Sequence, residues 1–409
     1  MVGPPLEDAW LRLERGRIAA VGRGRPPGPA AATRDLGDAI VLPGLVNAHT
    51  HLEFSDARAP FDASGGLPGW IGRVVAARRS REAEATPGHA PQAGVVGAIR
   101  RGLAESAAAG VTTIGEIATA APPAAYCGPG PRARVFREGL GLQAAAVTAV
   151  PRAIEADLNR LETAGIAVGL SPHAPYSVAA SLGRRLIEAA GRRSLPVAMH
   201  LLESREEEEL IATGSGPFRH LLEDLGAWDP LAPPVLLPAA EWIGQLARAR
   251  RGVVVHATHI AREPAARARL ARHRDRLAVV VCPRTTRAIS GMLPPLAILR
   301  EAGLRVAIGT DSRASNPDLS VLAECRTLID AGLVSPEEAL RMATTNGAWA
   351  VGFEPQAGVI AVGRSADLAI IRPAAATPQR TAPFAAALDP GATIAATIRR
   401  GRLIAGEVR

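Results

Sequence analysis

Leu42-Pro43-Gly44-Leu45-Val46-Asn47-Ala48-His49-Thr50-His51-Leu52-Glu53 is the stretch that decides the fold. An apolar run breaks at Pro43-Gly44, resumes, and ends in two histidines one residue apart. In an extended strand, side chains i and i+2 share a face, so both imidazoles can address one metal ion from one strand end. On its own the pair leaves two readings open, a metal site or two structural histidines.

The segments that follow alternate between apolar strand-like runs and Ala/Arg/Leu/Glu-rich helical runs. Strands are expected at 45–49, 112–117, 140–147, 167–171, 196–200, 253–256, 278–282 and 305–309. Helices are expected between them, for example at 95–109, 178–190, 294–301 and 319–331. Eight strands with crossover helices predict an α/β chain, a (β/α)8 TIM barrel, whose chemistry sits at the C-terminal strand ends. His49 and His51 follow strand one, His173 strand four, His200 strand five, His256 strand six and Asp311 strand eight. Six polar residues from five strands therefore meet on one rim.

Short alternating runs at both ends, from residue 9 to 22 with 39–42 and again at 358–361, 366–371, 393–398 and 402–404, predict a small β-sandwich-like domain built from both termini. The expected division is 1–43 with 355–409 for the β domain and 44–354 for the barrel. A chain of 409 residues is long enough for such a barrel with decorations.

Composition excludes several mechanisms. All 47 basic residues are arginine, so neither a lysine carbamate, a lysine Schiff base nor a lysine general base is available. The net charge of +8 comes from scattered arginines without interleaved aromatics, so no nucleic-acid partner is expected. Three widely spaced cysteines argue against a disulfide framework and for a reducing compartment. There is no basic and apolar leader and no bilayer-length apolar stretch, so a cytoplasmic protein without a membrane partner is expected. A homodimer remains an open assembly.

The chain resembles the amidohydrolase superfamily, in its cytosine-deaminase-like and chlorohydrolase-like branch, which includes deaminases of adenosine derivatives. The resemblance rests on 42–53 as quoted above, on Ser171-Pro172-His173-Ala174-Pro175-Tyr176-Ser177, and on His200-Leu201-Leu202-Glu203-Ser204. It also rests on Val255-His256-Ala257-Thr258-His259, Cys282-Pro283-Arg284, Gly309-Thr310-Asp311-Ser312 and Gly363-Arg364-Ser365-Ala366-Asp367-Leu368. It implies one divalent metal, Zn2+ with Fe2+ as the alternative, held by His49, His51, His200 and Asp311. It implies Glu203 as general acid/base, with His256 and Asp311 steering the attacking water. His173 would face the substrate.

Trp70, in the segment after strand one, either stacks on a substrate ring or packs beneath its loop. Arg284 either grips an anionic substituent or serves the surface, and Arg287 shares that ambiguity. Glu206, Glu207, Glu208 and Glu209 read as the solvated start of a helix, where acidic side chains favour the N-terminal end. His259 reads as a loop residue.

The expected function is hydrolytic deamination of a heterocyclic, purine-derived or nucleoside-like amine. Two alternatives stand beside it. One is hydrolysis of another C–N or a carbon–halogen bond, and the other is a non-catalytic metal-containing binding protein, which has no need of both Glu203 and His256.

Overall fold

A hairpin of β1 (Ala9–Glu14) and β2 (Arg17–Arg23) comes first in the computed structural model, in which residues 3–28, 32–83, 92–231, 233–374 and 382–408 are described. Next, β3 (Ile40–Pro43) runs almost directly into the histidine strand β4 (Leu45–Thr50). Seven more parallel strands follow: β5 (Val111–Ala118), β6 (Arg132–Gly139), β7 (Ala167–Pro172), β8 (Val197–Leu201), β9 (Gly252–His256), β10 (Leu277–Val281) and β11 (Arg305–Ile308). They pair strictly in chain order from β4 to β11, with helices in the crossovers, giving a nearly closed (β/α)8 barrel.

The ring closes between β4 and β11 through polar contacts rather than a long ladder. Thr310 and Asp311 both donate their backbone N–H to the His49 carbonyl at 3.1 Å. The Thr50 hydroxyl donates to the Asp311 carbonyl at 2.7 Å. Asn47 grips Thr310 from both sides, donating to its hydroxyl at 2.7 Å and accepting its N–H at 3.1 Å.

Strands buried on both faces should send alternate residues into two different cores, and they do. Val254, Val279, Val281 and Ile308 join the large cluster shared with the helices. Ala198, Val253, Val255, Val280 and Ala307 join a second cluster that reaches the short helix Gly347–Ala350. His200 has the parity of Ala198 and so stands on that second face.

The third barrel strand lies at Arg132–Gly139, which corrects the expected 140–147. The segment Arg132-Ala133-Arg134-Val135-Phe136-Arg137-Glu138-Gly139 hides its strand behind charge, and its arginines are satisfied by neighbouring segments of the fold. Arg134 donates to the Val168 carbonyl at 2.8 Å, and Arg137 donates to the Ala118 carbonyl at 2.6 Å and pairs with Asp157 at 2.8 Å. The Ala-rich run beyond it starts the helix Ala146–Thr163 instead.

The remaining strands, β12 (Leu368–Arg372), β13 (Thr393–Arg399) and β14 (Arg402–Gly406), form an antiparallel sheet of order β14-β13-β12-β3. Both termini thus build one sheet, as expected, with β1 and β2 as a separate pair. Residues 358–361 form no strand, because the chain turns at Gly358 with φ of 86°.

Candidate metal centre

Three of the strand exits that build the rim use left-handed backbone at residues other than glycine: Leu202 (φ 58°), His256 with Ala257 (φ 71° and 52°) and Asp311 (φ 56°). Such conformations cost energy and persist where the surroundings over-determine them. By alternation from Val254, His256 would face the helical shell. The left-handed turn breaks that alternation and leaves its ring 5.5 Å from that of His200.

The rings of His49, His51, His200 and His256 converge. Centroids lie 5.0 Å apart for His49 and His51 and for His49 and His200, and 5.7 Å for His49 and His256. His51 Nε2 and His200 Nε2 approach to 3.3 Å. Asp311 Oδ1 stands 3.5 Å from His49 Nε2 and 3.7 Å from His51 Nε2. Two overlapping sets, His49 with His51 and Asp311, and His49 with His200 and His256, bring their ligand atoms within 4.8 Å of one another.

The donor set fits a divalent cation. His49 is almost wholly buried, yet neither of its ring nitrogens has a hydrogen-bond partner, and His51 Nδ1 is likewise unpartnered. Buried polar nitrogens are rarely left so without a ligand. Burial above all, with neighbouring imidazoles adding to it, depresses the pKa of His51 and His200, and burial does the same for His256. Neutral rings with free lone pairs are the form that binds metal. Burial opposes ionisation of Asp311, but contact with His49 and the adjacent His51 and His256 hold its carboxyl well below the usual carboxylate range.

Partners further out orient these groups. His200 Nδ1 donates to the His173 carbonyl at 2.9 Å, which turns Nε2 and its lone pair towards the cluster. Ser315 Oγ donates to Asp311 Oδ2 at 2.7 Å and leaves Oδ1 for the histidines. Glu203 Oε1 lies 3.3 Å from His256 Nε2. Burial, then Asp311 and Glu207 nearby, push the Glu203 carboxyl well above its ordinary value.

His173 stands beside the cluster, its ring 5.1 Å from that of His200. Its Nδ1 is 2.5 Å from Ser177 Oγ and its Nε2 is 4.0 Å from Glu138 Oε1. Trp70 is half-buried in the helix Gly66–Ala83, its Nε1 donating to the Ala314 carbonyl at 3.1 Å. Arg284 places its fork on Asp318, at 2.7 and 3.1 Å, and Arg287 is exposed. His259 is buried and donates its N–H to the Leu202 carbonyl at 2.9 Å.

Two groups are more than the sequence suggested. Ser315, which no sequence pattern singles out, holds the Asp311 carboxylate. Glu207 is not solvated: it is buried and binds backbone N–H groups of Leu202 and Glu203. Its one sequence signal was the Ser204-x-x-Glu207 spacing.

Comparison with known proteins agrees with this geometry. The chain is 30% identical over 399 residues to the 5-methylthioadenosine/S-adenosylhomocysteine deaminase of Syntrophobacter fumaroxidans, covering 90% of this chain and 81% of that one. To the enzyme of the same name from Moorella thermoacetica it is 28% identical over 390 residues, covering 90% and 82%. The crystal structure of Helicobacter pylori aminofutalosine deaminase in complex with methylthio-coformycin superposes with a TM-score of 0.79 at 25% identity, covering 98% of this chain and 96% of that one. The profile of the amidohydrolase family matches residues 40–404, with the histidine strand near its start and the last strand of the small sheet at its end, and the chain belongs to that family.

Proposed function

We propose that this amidohydrolase is a hydrolytic deaminase of a heterocyclic amine of purine-derived or nucleoside-like structure. The observation that carries the reading is the Glu203–His256 pair, 3.3 Å apart, set against the His/His/His/Asp cluster. In this reading His49, His51, His200 and Asp311 hold one divalent metal, zinc first and iron second. The metal supplies Lewis acidity that brings the pKa of water towards neutrality. Glu203 takes one proton of the attacking water and passes it to the ring nitrogen. It then takes the remaining proton of the added hydroxyl and passes it to the amine, which leaves as ammonia as the C–N bond breaks and the carbonyl forms. His256, held against Glu203, hydrogen-bonds the oxygen that develops charge at the attacked carbon. Asp311 orients the nucleophile.

His173 and Trp70 are assigned to the substrate. Ser177 fixes the His173 ring at Nδ1, which leaves Nε2 available, and Trp70, packed against Phe54, Val74 and Ala314, would border the substrate ring. Arg284, already bidentate on Asp318, ties the helix Pro283–Ser290 to the segment leading into the helix Val321–Asp330. The barrel, assigned to 44–354, carries all of these side chains, and the small β domain, 1–43 with 355–409, carries none of them. The deaminases among the relatives support a purine nucleoside with an extended 5′ group as substrate class.

Ammonia release from a panel of adenosine derivatives, free aminopurines, cytosine and pterins tests the reading, together with elemental analysis. About one zinc or iron per chain and preferential turnover of an extended purine nucleoside are expected. Release of chloride, ring-opened products without ammonia, or two metals per chain overturns it.

A further inference from the structure

We propose that Glu207 is a positioning residue for Glu203, fixing the exit of β8 in the one backbone path that sets the Glu203 carboxylate against His256. The inference rests on the role given to Glu203 above.

The helix Arg205–Thr213 begins with Ser204 as N-cap, whose Oγ accepts the Glu207 N–H at 3.2 Å. In an ordinary Ser-x-x-Glu box the glutamate returns to the N–H of the capping serine itself. Glu207 reaches past it. Its Oε1 accepts the Leu202 N–H at 2.8 Å and its Oε2 accepts the Glu203 N–H at 3.2 Å. Both oxygens are thus committed to the two residues that link the metal strand to the helix, and the side chain is buried, with 1% exposure.

Leu202 lies in the left-handed region, so the chain between His200 and Glu203 relaxes elsewhere unless it is held. It is held on both sides. Glu207 fixes its N–H, and the exit of β9 fixes the carbonyls: Ala257 donates to Leu201 O at 3.0 Å and His259 to Leu202 O at 2.9 Å. His256, the partner of Glu203, belongs to that same exit and is left-handed too. Two strained turns lock together, and each presents one member of the proton-handling pair. The neighbouring acids differ, since Glu208 pairs with Arg262 on the periphery and Glu209 is exposed.

Glu207→Gln tests this in the zinc-loaded full chain. The amide has the same size but turns one acceptor into a donor facing a backbone N–H. We expect kcat to fall about 10- to 100-fold, with KM within about twofold and zinc per chain unchanged. Ser204→Ala, which removes only the helix cap, should lower Tm and leave kcat within about threefold, because a cap stabilises the helix without setting the strand exit. In the double variant E203Q/E207Q, kcat should match E203Q alone, because a residue that acts through another adds nothing once that other is gone.

Hydrogen exchange gives a readout apart from turnover: the Leu202 and Glu203 amides should lose protection in E207Q while the helix keeps its own. Glu207→Asp, which keeps two acceptors one methylene short, should show the same kcat-against-KM split and serves if E207Q does not fold. An E207Q effect on Tm alone, additive losses in the double variant, or unchanged protection of those two amides overturns the proposal. An E203Q enzyme at full rate instead overturns the role of Glu203, while exchange still reports whether Glu207 holds the two amides.

Discussion

Ser315 donates its hydroxyl to Asp311 Oδ2 at 2.7 Å, so only Oδ1 of that carboxylate remains to face His49 and His51. Replacing Ser315 by Ala frees the carboxylate to rotate and removes a bond that polarises it. The expected outcome is a loss of metal affinity of about 10- to 100-fold with the fold retained. Competition against a zinc chelator measures it, and an unchanged affinity would sink the assignment.

Glu203 lies against His256 and outside the set of atoms that surround His49. Glu203→Gln is therefore expected to keep its metal while kcat falls by about two to four powers of ten. Metal loss with normal turnover per bound ion would make Glu203 a ligand.

Gly309 sits at the end of β11, where a Cβ would come within 2.7 Å of both the His49 Cβ and the His49 carbonyl oxygen. No rotamer relieves a clash with backbone. Gly309→Ala should force β4 and β11 apart, at a cost of about 1–3 kcal/mol, and lower the metal content. Urea denaturation with metal analysis on the same preparation checks both halves.

Glu324 is fully buried, bonded by Asn316 and by the Arg284 N–H, and burial pushes its carboxyl from an ordinary 4.5 up to about 8. In that window the folded protein keeps a proton that the unfolded chain has released. Its contribution to stability is therefore complete below pH 4.5 and is lost as pH rises through about 8. Glu324→Gln cannot release a proton, so its stability relative to wild type should improve between pH 5 and about pH 8.5. Stability curves that stay parallel across that range would show that Glu324 is ionised throughout.

The residues that could be read from the sequence share one property: each is a polar group at the end of an apolar run. His49, His51, His200 and His256 stand out because their strands are otherwise Val, Ala and Leu, and Asp311 because it follows one. β6 was not legible for the opposite reason, since Arg132, Arg134, Arg137 and Glu138 charge the strand, and the three arginines find their partners only in the folded barrel. Glu207 was hidden among four consecutive glutamates, where local pattern cannot tell which one turns inward. The occupation of Arg284 by Asp318 depends on residues 34 positions apart and leaves no trace in either neighbourhood.

His49 offers its carbonyl to Thr310 and Asp311 and its ring to the cluster that Asp311 completes. The last seam of the cylinder and the cradle for the ion are thus one piece of chain. Without the ion, unpartnered nitrogens lie at a joint closed by an isolated bridge rather than a ladder, so the apoprotein should breathe there. A bound ion would then act as a rivet, stabilising the folded chain by its affinity for that state as well as serving the reaction.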